Sequence, residues 1–551
     1  ENGGAYVARN RGLDEATGEF VTLNDADDWA HPQKIETQAR YLVENPEVMG
    51  CTSEQARTSP ELIFSTLRRR GNFIIPNISS FMYRREPVKR EVGYWDSVRF
   101  GADVQFINRI RKAFNEEAVK DLPSGPLAFQ RATPDSATGD KFFGFDGFKF
   151  GARKQYEEAN ADWLAVSGTV YIGRQADKRA FFAPNPMLPG RWKKSAGPRH
   201  FDVIIASDFR FPGGTTSSNS EEIKAQRNHG LTTALVELSN YDLNVDRPMN
   251  PKIRAQITNG DAELLCYGET VECDTLIIRQ PMCFNWPQRY IPEVKARNVR
   301  VIINQPPKRD YSETGETLYS LEACAGAIRE MFGVDGIWHP IGPLVRDALV
   351  EHHSKDLRHI NLADTDWTNI INVEEWKRDK RPEPGNRPIR VCRHSRDQYV
   401  KWPNDHETLL AAYPSDPEFE INILGGAETV RAVLGGDLPD NWRVQEFGSV
   451  HPRDFLTGMD IFVYYTHPDW IESFGRVIFE PMCVGVPCIL PPMYRKLFGE
   501  AAIYAEPHEV AGIARKLYAD PDAYERQVRR AFDYVEKNFS HATHIARLGD
   551  N

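Results

Sequence analysis

The sequence predicts an α/β chain of three folded units, the last two doubly wound around parallel sheets. Short apolar runs of strand length recur between helix-length stretches. The pattern restarts twice, at "FDVIIASDF" (201–209) and at "IRVCRH" (389–394), each time after a stretch rich in proline, glycine and charge. A chain of 551 residues also exceeds what one core holds, domains averaging about 150 residues.

Hydrophobic residues make up 41% of the chain and charged residues 26%. No apolar run approaches the ~18 residues of a membrane span. The formal charge of −10 argues against nucleic acid as a partner. Two basic spots, "LRRR" (67–70) and "YRREPVKRE" (83–91), read as solvated faces, with an anionic substrate or a lipid headgroup as the rarer alternative. The eight cysteines form no C-x-x-C pair and no zinc spacing with histidine, so reduced, buried thiols in the cytoplasm are expected. The chain opens on Glu1 and is expected to be a fragment that starts inside a domain.

The first unit is expected over 1–170. In "EFVTLNDADDWAHPQKIE" (19–36) the apolar Phe20, Val21 and Leu23 make a strand, so Asp25, Asp27 and Asp28 emerge at its carboxyl end, where open α/β sheets place ligands. Carboxylates two apart can share Mg2+ or Mn2+, leaving positions for diphosphate oxygens. A plainer reading makes Asn24 and Asp28 caps of the turn before Pro32. A calcium loop closing on Glu36 is excluded by Trp29, Ala30 and Pro32. Asp103 precedes Phe106, Ile107, Ile110 and Phe114 on one helical face, which directs its carboxylate toward the buried stripe; it could equally cap its helix behind Gly101.

Residues 171–197, including "FFAPNPMLPGRWKK", read as a linker. The second unit (198–380) opens with the strand 201–209. A Gly213-Gly214 turn permits close backbone approach, and a helix follows whose face would carry Ile223, Leu231, Ala234, Leu235 and Leu238. The third unit (381–551) starts at "IRVCRH" and continues through "FEINILGG", "MDIFVYYTH" and "VPCILPP" as parallel strands. Glu472 and Glu480, with seven residues between them, are expected to face one cleft as exposed acids of little weight in folding. A dinucleotide oxidoreductase is disfavoured because "FPGGTTSSN" lacks G-x-G-x-x-G.

Two resemblances follow. "NGGAYVARNRGLDEATGEFVTLNDADDWAHPQKIETQ" resembles the family 2 glycosyltransferases of the GT-A fold, and "NISSFMYRREPVKREVGYWDSVRFGADVQFINRI" resembles their acceptor side. The resemblance implies that Asp27 and Asp25 hold the metal, that Asp25 also lies near the nucleotide, with Asp28 a weaker candidate, and that Asp103 is the general base of an inverting transfer. It also places the family's first strand and base loop before residue 2, so the GT-A unit is expected to be incomplete. "HPDWIESFGRVIFEPMCVGVPCILPP" resembles the E-x7-E region of family 4 glycosyltransferases of the GT-B fold, the similarity running through most of 200–548.

The second resemblance implies that Glu472 meets donor-sugar hydroxyls as a catalytic residue, that Glu480 meets the ribose, and that the backbone at Phe474 and Gly475 approaches the donor. Arg393 and Lys401 would hold the diphosphate without metal, although Cys392 stands where the family has glycine, and Gly213 and Gly214 would meet donor phosphate or acceptor. Together the two resemblances imply a cytoplasmic, two-headed transferase, inverting in its first unit and retaining in its second. It would act on a nucleotide-sugar donor and a glycan or lipid-linked acceptor, which allows peripheral contact with the inner face of a membrane. The alternative keeps catalysis in the C-terminal module alone and makes the GT-A part an acceptor-binding or docking module.

Overall fold

A computed structural model describes residues 4–66, 71–132, 141–174, 179–189, 198–244 and 246–549, apart from the side chain of Phe145. The basic run 67–70 lies outside the described residues.

Six strands form the first sheet: β1 (Phe20–Thr22), β2 (Trp29–Ala30), β3 (Gly50–Thr58), β4 (Phe64–Ser65), β5 (Ile74–Arg84) and β6 (Val119–Arg131). They run in the order β1-β5-β3-β6-β2, with β4 paired to β3. β5 is antiparallel to β1 and β3, and β6 is parallel to β3, so β1, β3 and β6 all end at one edge. The acids that follow β1 therefore emerge at that shared carboxyl edge. The helix Ala102–Ala113 buries Phe106, Ile107 and Ile110 beneath the sheet, each burial stabilising by about 2 kcal/mol, and Trp95 stacks on Phe106 at 4.5 Å.

The stretch read as a linker is partly core. Phe181, Ala183 and Met187 are buried in the first hydrophobic cluster, and Phe181 stacks on Trp163 at 5.3 Å. Its prolines and glycines suggested a spacer; the apolar residues between them decide its place, since exposing them would forfeit the burial.

The second sheet contains β7 (Arg199–Ser207), β8 (Thr233–Glu237), β9 (Glu263–Leu265), β10 (Thr270–Arg279), β11 (Glu293–Ile303), β12 (Ile337–Pro340) and β13 (Asn361–Leu362). All its pairings are parallel, in the order β13-β12-β11-β10-β7-β8-β9. One expectation fails here. Ala234 and Leu235 lie on β8 instead of extending the preceding helix, which ends at Asn228, with Gly230 beyond it at φ 75. The β-branched and apolar run after that left-handed glycine suits a buried strand.

The third sheet, also parallel, orders β14 (Ile389–His394), β15 (Phe419–Leu424), β16 (Trp442–Gln445), β17 (Ile461–Val463), β18 (Cys488–Leu490) and β19 (Ile503–Tyr504) as β16-β15-β14-β17-β18-β19. In both parallel sheets the first strand lies between the second and the fourth, so the chain reverses its winding direction there. Ligands of such sheets collect beyond the strand ends at that switch point. The segments leaving β7 and β14 are the Gly213-Gly214 turn and the loop 395–401.

The first unit is fastened to the second sheet. Arg254, buried on the helix Pro251–Asn259, donates to Glu158 at 2.7 Å and Gln155 at 2.8 Å, both on the helix Ala152–Val166, and Phe150 stacks on Tyr290 at 4.4 Å. All eight cysteines are buried and unbridged. Among the described residues no helix is long and apolar enough to cross a membrane.

Candidate active sites

A cavity of about 560 Å3 lies where the carboxyl ends of the two parallel sheets meet. Its walls include Gly213, Gly214, Arg396, Lys401, Tyr464, Trp470, Glu472, Phe474, Gly475, Arg476 and Glu480. The structure thus brings seven predicted residues (Gly213, Gly214, Lys401, Glu472, Phe474, Gly475 and Glu480) to one space.

Gly475 begins the helix Arg476–Val484 with φ 74, and a Cβ there would stand 2.7 Å from Ile478, so only glycine delivers this tight entry. The entry turns the first peptide N–H groups of the helix toward the cavity, favouring an anion. Pro481 interrupts this helix and withholds the donor that Val477 O would otherwise receive. The His394 ring supplies a hydrogen bond to Val477 instead.

Both glutamates are buried, each only 8% exposed, contrary to the expectation of exposed acids. Their surroundings set them apart. Glu472 Oε2 accepts from Lys401 Nζ at 2.6 Å, Tyr464 Oη at 2.9 Å and Trp470 Nε1 at 3.4 Å. Burial alone would raise its pKa, but the ammonium and the donated hydrogen bonds outweigh burial and hold it below the ordinary carboxylate value. At Glu480 burial wins. Arg476 Nε, 3.3 Å away, offsets it only in part, so this carboxyl is raised. His394, whose Nε2 lies 3.6 Å from Glu480, is kept neutral by burial and by the Arg393 cation, its pKa falling to about 3.

Arg393 does not line the cavity. It sits inside β14, fully buried, its guanidinium 3.6 Å above the Trp402 ring. It donates to Tyr413 Oη at 3.0 Å, Tyr465 O at 3.3 Å, Ser395 Oγ at 3.1 Å and Lys401 O at 2.6 Å. Those bonds pin the loop 395–401 to the sheet, so Arg393 positions that loop from behind. Arg396 is the arginine of this loop that faces the cavity, donating to Pro212 O across the cleft at 2.6 Å, and a Cβ on Gly213 would stand 3.1 Å from its guanidinium. Sequence reasoning missed Arg396, Arg476, Tyr464 and Trp470. For Arg396 a signal existed: its place just beyond the strand end, where a ligand-facing side chain belongs.

In the first unit, Asp25, Asp103 and Arg9 form one cluster. Arg9 Nη2 donates to Asp25 Oδ1 at 2.9 Å, the other end of its guanidinium pairs with Asp103, and Tyr6 Oη donates to Asp103 Oδ2 at 2.7 Å. The Asp103 carboxyl is raised by burial, which Arg9 and Tyr6 only partly oppose. Asp27 is exposed. Asp28 accepts from the Arg131 backbone N–H at 3.0 Å, and its carboxyl is raised by burial and then by the neighbouring Asp25 and Asp27 charges. The capping reading of Asn24 gives way to a different contact, since its Oδ1 accepts from Lys34 Nζ at 3.0 Å. Among the described residues no group of three His, Cys, Asp or Glu side chains is placed to hold a metal ion. The donor set still suits a hard cation: oxygen ligands only, with repulsion among the three acids that a divalent ion would relieve.

Residues 1–95 match the family model for glycosyl transferase family 2. A curated relative, an uncharacterized glycosyltransferase of Haemophilus influenzae, is 29% identical over 99 residues, 16% of this chain and 38% of its own length. The chain therefore spans well under half of that relative. Among solved structures, Anabaena HepE in complex with UDP-glucose is similar with a TM-score of 0.43 at 12% identity, covering 64% of this chain and 99% of its own. WaaG, a glycosyltransferase involved in lipopolysaccharide biosynthesis, scores 0.40 at 12% identity, covering 63% of this chain and 98% of its own.

Proposed function

We propose that this chain is a glycosyltransferase whose two parallel-sheet lobes form a GT-B module, transferring a sugar from a nucleotide-sugar donor to a glycan acceptor with retention. The observation that carries this reading is the cavity where the lobes meet. It joins a glycine turn, two cations from one loop and two buried glutamates of opposed acidity. Arg396, Lys401 and the helix start at Gly475 supply positive potential for a diphosphate, which must carry away the electron pair of the sugar C1–O bond. Glu480 suits a ribose diol. Glu472, held ionised by Lys401, accepts from sugar hydroxyls and orients the ammonium.

The first unit we assign to an inverting GT-A transferase. Asp27 and Asp25 would hold Mg2+ or Mn2+, which supplies charge neutralisation to a leaving diphosphate when bound. Asp103 would take the proton of the acceptor hydroxyl, and its raised pKa suits that task. One observation favours a second reading, in which this unit only docks the acceptor: Arg9 neutralises both Asp25 and Asp103 at once.

A panel of nucleotide sugars, assayed for hydrolysis and transfer with the full chain, tests the leading proposal. One donor should be turned over with retention at C1. Glu480→Gln, which keeps the shape of a raised carboxyl, should lower turnover by about a hundredfold while leaving the melting temperature near that of the parent. Turnover of no donor, or full activity in Glu480→Gln, would overturn the assignment.

A further inference from the structure

A second cavity, of about 680 Å3, shares no lining residue with the one between the lobes. The second unit supplies one wall, with Arg300 on β11, His339 on β12 and the segment 363–368 that follows β13. The third unit supplies the other, through Lys496 and through the helices Pro521–Phe539 and His541–Gly549, which bring Lys537, Asn538 and Arg547. Neither candidate site uses this space.

Positive charge dominates its lining. Arg300, Lys496, Lys537 and Arg547 stand against Asp364 and Asp366, and Asp366 is already engaged by Arg346 Nη2 at 2.6 Å. Lys496 pairs with Asp347 at 2.5 Å, but among the described residues neither Lys537 nor Arg547 is paired with a carboxylate. Arg547 instead donates to the Thr368 backbone O at 2.7 Å and to the Thr368 hydroxyl; burial lowers its pKa only to about 10, so it stays charged. His339 registers the field. Burial, and after it the Arg300, Arg346 and Arg547 charges, lower its pKa to about 4, although its Nδ1 donates to Thr365 O at 3.1 Å. Cations left without a counter-charge on a concave wall concentrate the field there and favour an anionic ligand.

The same lining holds acceptors. Asp364 is exposed and, among the described residues, pairs with no cation, while Asn538 Nδ2 donates to Tyr534 O at 2.8 Å and leaves its amide oxygen to accept. A bare anion would gain from the cations and be repelled by Asp364. A ligand that joins a phosphate to several hydroxyls gains from both, because carboxylate and amide oxygens take hydroxyl donors as readily as guanidinium and ammonium groups take phosphate oxygens. We propose that this cavity binds a phosphorylated sugar, its phosphate drawn to Arg547, Lys537 and Arg300 and its hydroxyls donating to Asp364 and Asn538.

Titration calorimetry of the full chain with glucose 6-phosphate, glucose and inorganic phosphate tests this. Glucose 6-phosphate should bind saturably and weaken with salt, and glucose and inorganic phosphate should each bind at least about tenfold more weakly, since each carries only one of the two recognised groups. Lys496→Gln combined with Lys537→Gln should weaken glucose 6-phosphate binding by about tenfold or more at an unchanged melting temperature, because both side chains are exposed and surface ion pairs add little to stability. Arg396→Ala, which alters the other cavity, should bind it as the parent does. No binding of glucose 6-phosphate, equal affinity in the lysine variant, or equal affinity for glucose or inorganic phosphate would overturn the proposal. So would loss of binding in Arg396→Ala, which would place the probe between the lobes.

Discussion

Replacing Lys401 by Met should turn Glu472 from a stabilising group into a destabilising one, and pH exposes the change. The two side chains are 16% and 10% exposed and their charged atoms lie 2.6 Å apart. At an effective dielectric near 20, unit charges about 4 Å apart attract by about 4 kcal/mol, much of which desolvation of both ions offsets. Removing the ammonium leaves a buried carboxylate with only Tyr464 and Trp470 as donors, which should cost about 2 to 3 kcal/mol at neutral pH. In the parent chain the Glu472 pKa lies below its ordinary value, so its contribution is complete above the ordinary carboxylate range and is lost as pH falls through the lowered value. In Lys401→Met burial acts almost unopposed and the pKa moves up, so stability falls as pH rises through that range. The difference between the two proteins should be small in acid and grow toward neutral pH. Urea melts followed by tryptophan fluorescence measure it. A difference that stays flat with pH, or that persists when Glu472 is already Gln, would refute the reasoning.

Three further outcomes are expected. Arg393→Ala should destabilise the third unit by about 3 kcal/mol, since it strips four hydrogen bonds and a cation–π contact from the core, whereas Arg396→Ala should leave urea melts unchanged and raise donor KM while lowering kcat; the opposite pattern would restore Arg393 to the cavity. Glu158→Ala should cost about 2 kcal/mol by leaving buried Arg254 with Gln155 and the more distant, half-exposed Asp162 at 3.5 Å, and calorimetry should then separate the unfolding of the first unit from the rest. Asp27→Asn should weaken Mn2+ binding to the full chain, followed by titration calorimetry, at least tenfold, because one of two proposed anionic ligands is lost; unchanged affinity would remove Asp27 from the metal assignment.

The residues that proved legible in the sequence are those whose placement depends on backbone. Gly475 and Gly213 mark turns that other residues strain to make, and the apolar runs before them fix where the strands end, so the cavity could be located without coordinates. What a side chain meets on arrival was not legible. Arg393 and Arg396 are both arginines near a strand end, and two or three residues decide between a core and a cleft, because Trp402, Tyr413 and Tyr464 converge on the first and leave the second free to face the opposite lobe. The burial of Glu472 was hidden for the same reason. Its donors come from 401, 464 and 470, brought together by the loops after β14 and β17 and by no local pattern. The segment 179–189 misled in the other direction, composition suggesting a spacer where Met187 and Phe181 fill a core.

The two candidate sites set opposite charge inventories against what we propose is the same task. Where the parallel lobes meet, Arg396, Lys401 and a helix start face the space a diphosphate would fill, and the acid nearest them, Glu472, is already engaged by Lys401. Beyond β1 the surplus is negative: Asp25, Asp27 and Asp28 lie close enough to raise the pKa of Asp28, and Arg9 is divided between Asp25 and Asp103. A diphosphate arriving there without a cation would meet net repulsion. A divalent ion on Asp25 and Asp27 would offset most of that negative charge, present its own positive charge to the diphosphate, and also compete with Arg9 for Asp25. Any loosening of Arg9 from Asp25 would leave its guanidinium more fully to Asp103, lowering the pKa of that carboxyl relative to the metal-free state. Metal occupancy and the basicity of Asp103 would then be coupled through one guanidinium, and the pKa of Asp103, followed by carbon-detected NMR, should fall as diamagnetic Mg2+ is titrated into the metal-free parent chain and should stay fixed in Asp27→Asn.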